Sequence, residues 1–327
     1  MVAPSTAINR FDLGITIEEF NLVANQAGFI GPSVLRPMIV REQSGNIPKV
    51  PDNELSSVPE TARAPGGAYK RDTFEFDSLG YTCSEHGREV PLDDATLAVY
   101  ASTIDAEAIA VRRMTHQILS RYEIDVAAAV YNTSVWTGAS LTTTIATPWS
   151  THASSDPINN IQAAKEKGIA LGVEYNSLVC SRRQLWHLLQ SAQLLARMSD
   201  VRNKDNSTVK SALLELLDLD QIIVAGGLKN TSSQAQTAAY SRIWGIDKAM
   251  VCRVAMTDDP SEVCIGRTIL WNGDGAGAAG TEQALALLTE EYREEGVRGS
   301  VIRGRNWRGL KIMFAKCGHL LSNVAES

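Results

Sequence analysis

The chain has 327 residues, 44% of them hydrophobic and 21% charged, a globular composition that excludes a disordered polymer. Its formal net charge of −6 argues against nucleic acid as the main binding partner, because phosphate recognition needs a basic face; enclosing nucleic acid does not. The length suits about two domains, and no run of about 18 apolar residues is present to span a membrane. Residues 1–20 mix Arg10, Asp12, Glu18 and Glu19 with apolar side chains, so no secretory signal is expected. Cys83, Cys180, Cys252, Cys264 and Cys317 are odd in number and widely spaced, which predicts reduced, mostly buried thiols.

Residues 1–44 show no sustained period and are punctuated by Gly28, Gly31, Pro32 and Pro37, which predicts an extended arm ordered by a partner. Pro48, Pro51, Pro59, Pro65 and Gly66-Gly67 then exclude a helix interior or a central strand over 45–68. Residues 69–83 read as a strand. Phe74 and Phe76 share one face, Leu79, Tyr81 and Cys83 the other phase, with a bend near Gly80. Together, 45–90 predict a long two-stranded excursion. Such a ribbon is marginal alone in water, so it is expected to lie on another subunit.

From Asp94 the period changes. Leu97, Ile104, Val111 and Ile118 recur every seventh residue, with Ala101, Ala108 and Tyr122 as companions, predicting a helix to about Asn132. Its length would be on the order of 57 Å. Alanines and Thr115 make a poor coiled-coil seam, so a spine packed across a sheet is expected. Residues 141–155, with Pro148, form a connector. A mixed α/β region follows. Asp156-Pro157 opens a helix closed near Gly168, Leu178-Val179-Cys180 is a buried strand, and Ser181 caps a helix. Ser207 begins another helix, and Ile222 to Ala225 form a strand stopped by Gly226-Gly227. Further strands are predicted near 241–246, 250–256 and 262–271, and finally at 297–302 and 310–314, bracketing a basic turn.

Candidate chemistry is sparse. Gly275, Gly277 and Gly280 match a dinucleotide-binding fingerprint, with Glu294 and Glu295 as ribose partners. Too little chain follows for the rest of such a fold, so a surface loop is the simpler reading. Cys83 with His86, and Cys317 with His319, are single pairs without a second pair at zinc spacing. His116 and His187 fall on predicted helices as core-edge or solvated histidines, Asp94 as a helix opener, and Asp258-Asp259-Pro260 as a turn. No nucleophile stands in a recognisable signature. Arg298, Arg303, Arg305, Arg308 and Lys311 surround Trp307, just after Glu290, Glu291, Glu294 and Glu295. Arginine interleaved with an aromatic would suit single-stranded nucleic acid, but the acidic cluster upstream would weaken a phosphate site, and complementary charge between neighbouring subunits accounts for both clusters.

The order of elements resembles the major capsid proteins of tailed bacteriophages with the Hong Kong 97-like fold. Trp149, Asp156-Pro157-Ile158, Gly168 and Asn176-Ser177-Leu178-Val179-Cys180-Ser181 leading to Trp186 carry the more specific likeness, and the ending at Leu320-Leu321-Ser322-Asn323-Val324 resembles their closing peripheral-domain strands. The resemblance implies an α+β capsid subunit: an N-terminal arm (1–44), an E-loop (45–91), a spine helix with the first part of a P domain (92–150), an A domain (151–270) and a return to the P domain (271–327). It implies self-assembly through hexamers and pentamers into a virion head around double-stranded DNA, assembled in the host cytoplasm. A separate scaffold protein, a portal and a decoration protein are the implied partners, with no membrane, cofactor, metal or catalytic residue. Lys49, Lys70, Arg71, Phe74, Phe76, Glu291, Arg303, Arg305 and Arg308 are the candidate subunit contacts. An encapsulin-like nanocompartment shell is the alternative, and a nucleotide-dependent enzyme using the 275–280 glycines is a more distant one.

Overall fold

A computed structural model of the chain describes residues 8–9, 28–49, 77–100, 106–198, 206–233, 239–259, 261–272, 287–296 and 298–326, with residues 58, 61–63, 65–69, 71, 236–237 and 285 between them. Two mixed sheets organise it. The first has six strands in the order β1 (Ile8–Asn9), β13 (Leu288–Glu294), β14 (Gly299–Ile312), β12 (Gly266–Trp271) and β2 (Pro37–Val40), with β5 (Ser84–Asp93) also paired to β14. The second runs β6 (Thr142–Thr144), β15 (Gly318–Ser322), β11 (Lys248–Cys252), β7 (Ser177–Ser181) and β8 (Gln221–Ala225). Two-stranded ribbons β3 (Ser44–Lys49) with β4 (Asp77–Thr82), and β9 (Leu228–Asn230) with β10 (Tyr240–Arg242), stand apart from both.

The helices explain the layering. A single turn, α1 (Gly31–Val34), precedes β2; α2 (Asp94–Tyr100) and α3 (Ala106–Val130) occupy the expected spine, with 101–105 outside the described residues. On α3 the buried positions Val111, Met114, Ile118, Tyr122 and Val126 repeat at helical spacing and lie across β14. Ile302 and Leu287 close a small cluster under its first turns, while its last turns join the main core. Around the second sheet lie α4 (Pro157–Ala170), α5 (Arg182–Gln190), α6 (Ala192–Arg197) and α7 (Asn206–Leu217). Asp156 caps α4 by accepting the Asn159 N–H at 3.3 Å, and Ser181 with Gln184 forms a reciprocal capping box on α5. Strand β7 is buried throughout because β11 and β8 flank it. All five cysteines are buried and none forms a disulfide, and burial pushes up the thiols of Cys83, to about 11, and Cys180, to about 12.

Four expectations are corrected. The arm does not extend to residue 44: α1 and β2 are integral, with Val34 and Leu35 fully buried and β2 parallel to β12. Residues 84–90, read as part of the excursion, belong to a ten-residue strand, 84–93, along β14. The two strands expected at 297–302 and 310–314 are one continuous strand, because acidic neighbours on β5 and β13 pair the arginines that looked like a turn. Finally, the sheets ignore the expected boundary at 270/271. Strand β12 belongs to the first sheet, and the terminal strand β15 lies in the second, between β6 and β11.

Candidate functional site

No group of three metal-ligating side chains occurs among the described residues, and no described helix is long and apolar enough to cross a membrane. The 275–280 glycines, Lys70, Phe74 and Phe76 lie outside the described residues. The two sequence-local histidine–cysteine pairs are otherwise engaged. Cys83 Sγ donates to the Ile269 carbonyl, while His319 bonds Thr143 Oγ1 and the Ser140 carbonyl. What the structure assembles is a set of surfaces and ties, in three places.

The first is the β3–β4 ribbon. Its register runs from Ser44 opposite Thr82 to Lys49 opposite Asp77, and Cys83 N–H closes its base on the Gln43 carbonyl at 2.9 Å. Most of its side chains are exposed; Ile47 is buried, and Leu79 and Tyr81 are half-buried against the main core. Lys49 extends over the Phe314 ring at 4.3 Å, a cation–π contact that fixes how the ribbon leaves the body. An open groove of about 630 Å³ lies under the base, lined by Tyr81, Ile269, Leu310 and Lys311 among others.

The second is a charged ladder across the first sheet. Alternation along β14 turns Gly304 and Arg308 toward α3 and Arg303 and Arg305 to the other face. Arg303 pairs with Glu89 of β5 at 2.8 Å and Glu290 of β13 at 3.7 Å. Arg305 bonds the same Glu290 at 2.8 Å and reaches Glu85 at 3.5 Å. Because β13 and β14 are adjacent strands, the acidic and basic clusters expected to meet between subunits meet inside one chain through Glu290. Arg308 is 3% exposed; it bonds Asp125 at 3.2 Å, stacks on Tyr122, and offers a second copy no surface. Glu291 is half-buried and Arg71 exposed.

The third is not among the candidates read from the sequence. Glu123, fully buried on α3, accepts hydrogen bonds from Ile30 N–H (2.8 Å), Gly31 N–H (2.7 Å) and Trp244 Nε1–H (2.6 Å). Burial pushes its carboxyl above the usual carboxylate range, and the three donors pull against that shift. One side chain thus ties the segment entering from the arm, the spine and the loop after β10. The fit is close: a Cβ on Gly31 would sit 2.6 Å from the Tyr122 ring and 2.8 Å from the Glu123 carboxylate. Read alone, a glutamate on an otherwise apolar helix face was the available signal.

No family's sequence profile matches the chain, and no curated protein matches it in sequence. Solved structures do match in shape. A phage-related protein from Bordetella bronchiseptica superposes with a TM-score of 0.71 at 19% identity, covering 98% of this chain and 99% of that one. The capsid of cyanophage P-SCSP1u gives 0.58 at 12% identity, over 100% and 91%. The holo-SrpI encapsulin complex from Synechococcus elongatus gives 0.53 at 11%, over 99% and 92%. The chain therefore has the α+β, Hong Kong 97-like fold of phage capsid structures.

Proposed function

We propose that this chain is the major capsid protein of a tailed bacteriophage, self-assembling through hexamers and pentamers into the icosahedral head that encloses double-stranded DNA. The observation that carries the proposal is the end-to-end match to a phage-related protein, with nearly all of both chains aligned. A ribbon that exposes most of its side chains and buries few supports it, since a two-stranded ribbon contributes little to its own fold and gains stability against a neighbour. The partition proposed is the arm and E-loop as reaching parts, the spine with the first sheet as the P domain, and the second sheet with its helices as the A domain. Lys49, Lys70, Arg71, Phe74, Phe76 and Glu291 are the proposed contacts, joined by Arg303 and Arg305, which also set the sheet's charge ladder. Function then lies in distributed interfaces rather than in catalysis. A separate scaffold protein, a portal and a decoration protein are the proposed partners, and the virion the proposed location.

The match to an encapsulin favours a second reading, a nanocompartment shell that holds protein cargo. Co-expression with the neighbouring genes, followed by nuclease digestion of the purified particles, separates the two. Nuclease-protected double-stranded DNA supports the phage head. Particles holding a cargo protein and no DNA support the nanocompartment, and failure to form particles of either kind overturns both.

A further inference from the structure

We propose that the side chains of Arg183, His187 and His152 form a proton-operated latch, which holds the loop before α4 against α5 and α6 while both imidazoles are neutral. Donors and acceptors assign the protons. Arg183 donates its Nε–H to His187 Nε2 at 3.1 Å, and a guanidinium cannot accept, so that ring nitrogen carries no proton. A neutral imidazole has a single N–H. It therefore sits on His187 Nδ1 and donates to His152 Nε2 at 2.9 Å, which makes His152 neutral at that nitrogen too. A proton added to His187 sets an N–H against the Arg183 N–H. One added to His152 sets an N–H against that of His187. Either breaks a link.

The surroundings give protonation no compensation. The charged and titratable groups on the elements packed against the latch are Arg182 and Arg183 of α5, Arg197 of α6, Cys180 of β7, Asp247 and Lys248 where Gln184 meets the start of β11, His152 and Asp156 of the loop, and Glu326 of the tail beside Ser150; β8 contributes none. Asp156 is occupied as the α4 cap, and Arg183 and His152 are the two that face the ring. Burial first, then Arg183 and His152, hold the His187 imidazole below its ordinary range. The latch fastens a defined contact: Ala192 N–H donates to the His152 carbonyl at 2.9 Å. It also seats Trp186, 45% exposed, edge-on to the His152 ring at 5.4 Å and under the Arg183 guanidinium at 5.0 Å. Opening frees that indole on the surface.

Hydrogen exchange at the Ala192 amide tests the latch in the full chain. An imidazole released to solvent titrates near pH 6.5, so going from pH 8 to pH 5 favours the open loop through His187 by up to about thirtyfold. After correction for intrinsic exchange, Ala192 protection is expected to fall more than tenfold at pH 5, while that of Met250 and Val251 in β11 holds. The double variant His152→Gln/His187→Gln keeps the donor–acceptor chain but cannot be protonated, and is expected to retain protection at both pH values. If it fails to fold, His187→Gln alone serves, with the pH response cut severalfold. No pH response in the wild type, or an equal one in the variant, overturns the proposal.

Discussion

Replacing Glu123 with alanine removes the acceptor of three buried donors at once: the amides of Ile30 and Gly31 and the Trp244 indole. A hydrogen bond to a charged group contributes about 1.5–3 kcal/mol, and an orphaned buried donor costs about 1–3 kcal/mol. Relief of the buried charge offsets part of this, since burial already disfavours the ionised carboxyl. The expected loss is about 3–5 kcal/mol, a large share of the roughly 5–15 kcal/mol by which proteins are stable. Glutamine divides the effect. Its Oε1 still accepts from Ile30 and Trp244, which both bond Glu123 Oε1, while its amide nitrogen opposes the Gly31 N–H, so a loss of about 1–2 kcal/mol is expected. Urea unfolding followed by circular dichroism gives both values, and exchange at Ile30 and Gly31 locates them. A loss under about 1 kcal/mol for alanine, with Ile30 and Gly31 still protected, would refute the role of Glu123 as the tie between arm, spine and β10–β11 loop.

Excising residues 45–81 and closing Ser44 to Thr82 with a short glycine turn should leave a folded monomer that does not assemble, because the base is already bridged from Gln43 to Cys83. Light scattering and circular dichroism read the two halves, and normal assembly of the deletion contradicts the ribbon's role. Gly299→Ala places a Cβ about 2.0 Å from the Leu92 carbonyl oxygen. It should cost about 2–3 kcal/mol or more by parting β14 from β5, measured by denaturant unfolding. Asp156→Ala should cost about 1 kcal/mol through the lost α4 cap. The five cysteines, all buried with thiols held up by burial where shifts are resolved, should resist a thiol reagent at neutral pH until the chain is unfolded.

Much of the fold was legible where local chemistry decides it. Asp156-Pro157, the Ser181 cap and the seven-residue spacing of Val111 and Ile118 on α3 each specify a helix through contacts within a few residues, while Ile104 of that series lies outside the described residues. What failed was set by distant partners. The basic stretch of β14 reads as a turn until Glu85, Glu89 and Glu290 are placed beside it, and β2 reads as arm until β12 accepts it. Strand β15 joins the second sheet through registers with β11 and β6 that nothing near it in sequence encodes. Among the candidate contacts, Lys49 lies at the far end of the described ribbon from its base, over the Phe314 ring, whereas Arg308 turned inward because strand alternation aims it at α3. Glu123 could not be assigned, since its three partners lie more than 90 positions away in the chain.

The proposed function is the tiling of a shell. Negative-stain electron microscopy of the purified chain, alone and co-expressed with its genomic neighbours, tests it most directly. Closed shells or rings of capsomers are expected. A persistent monomer under every condition would contradict it.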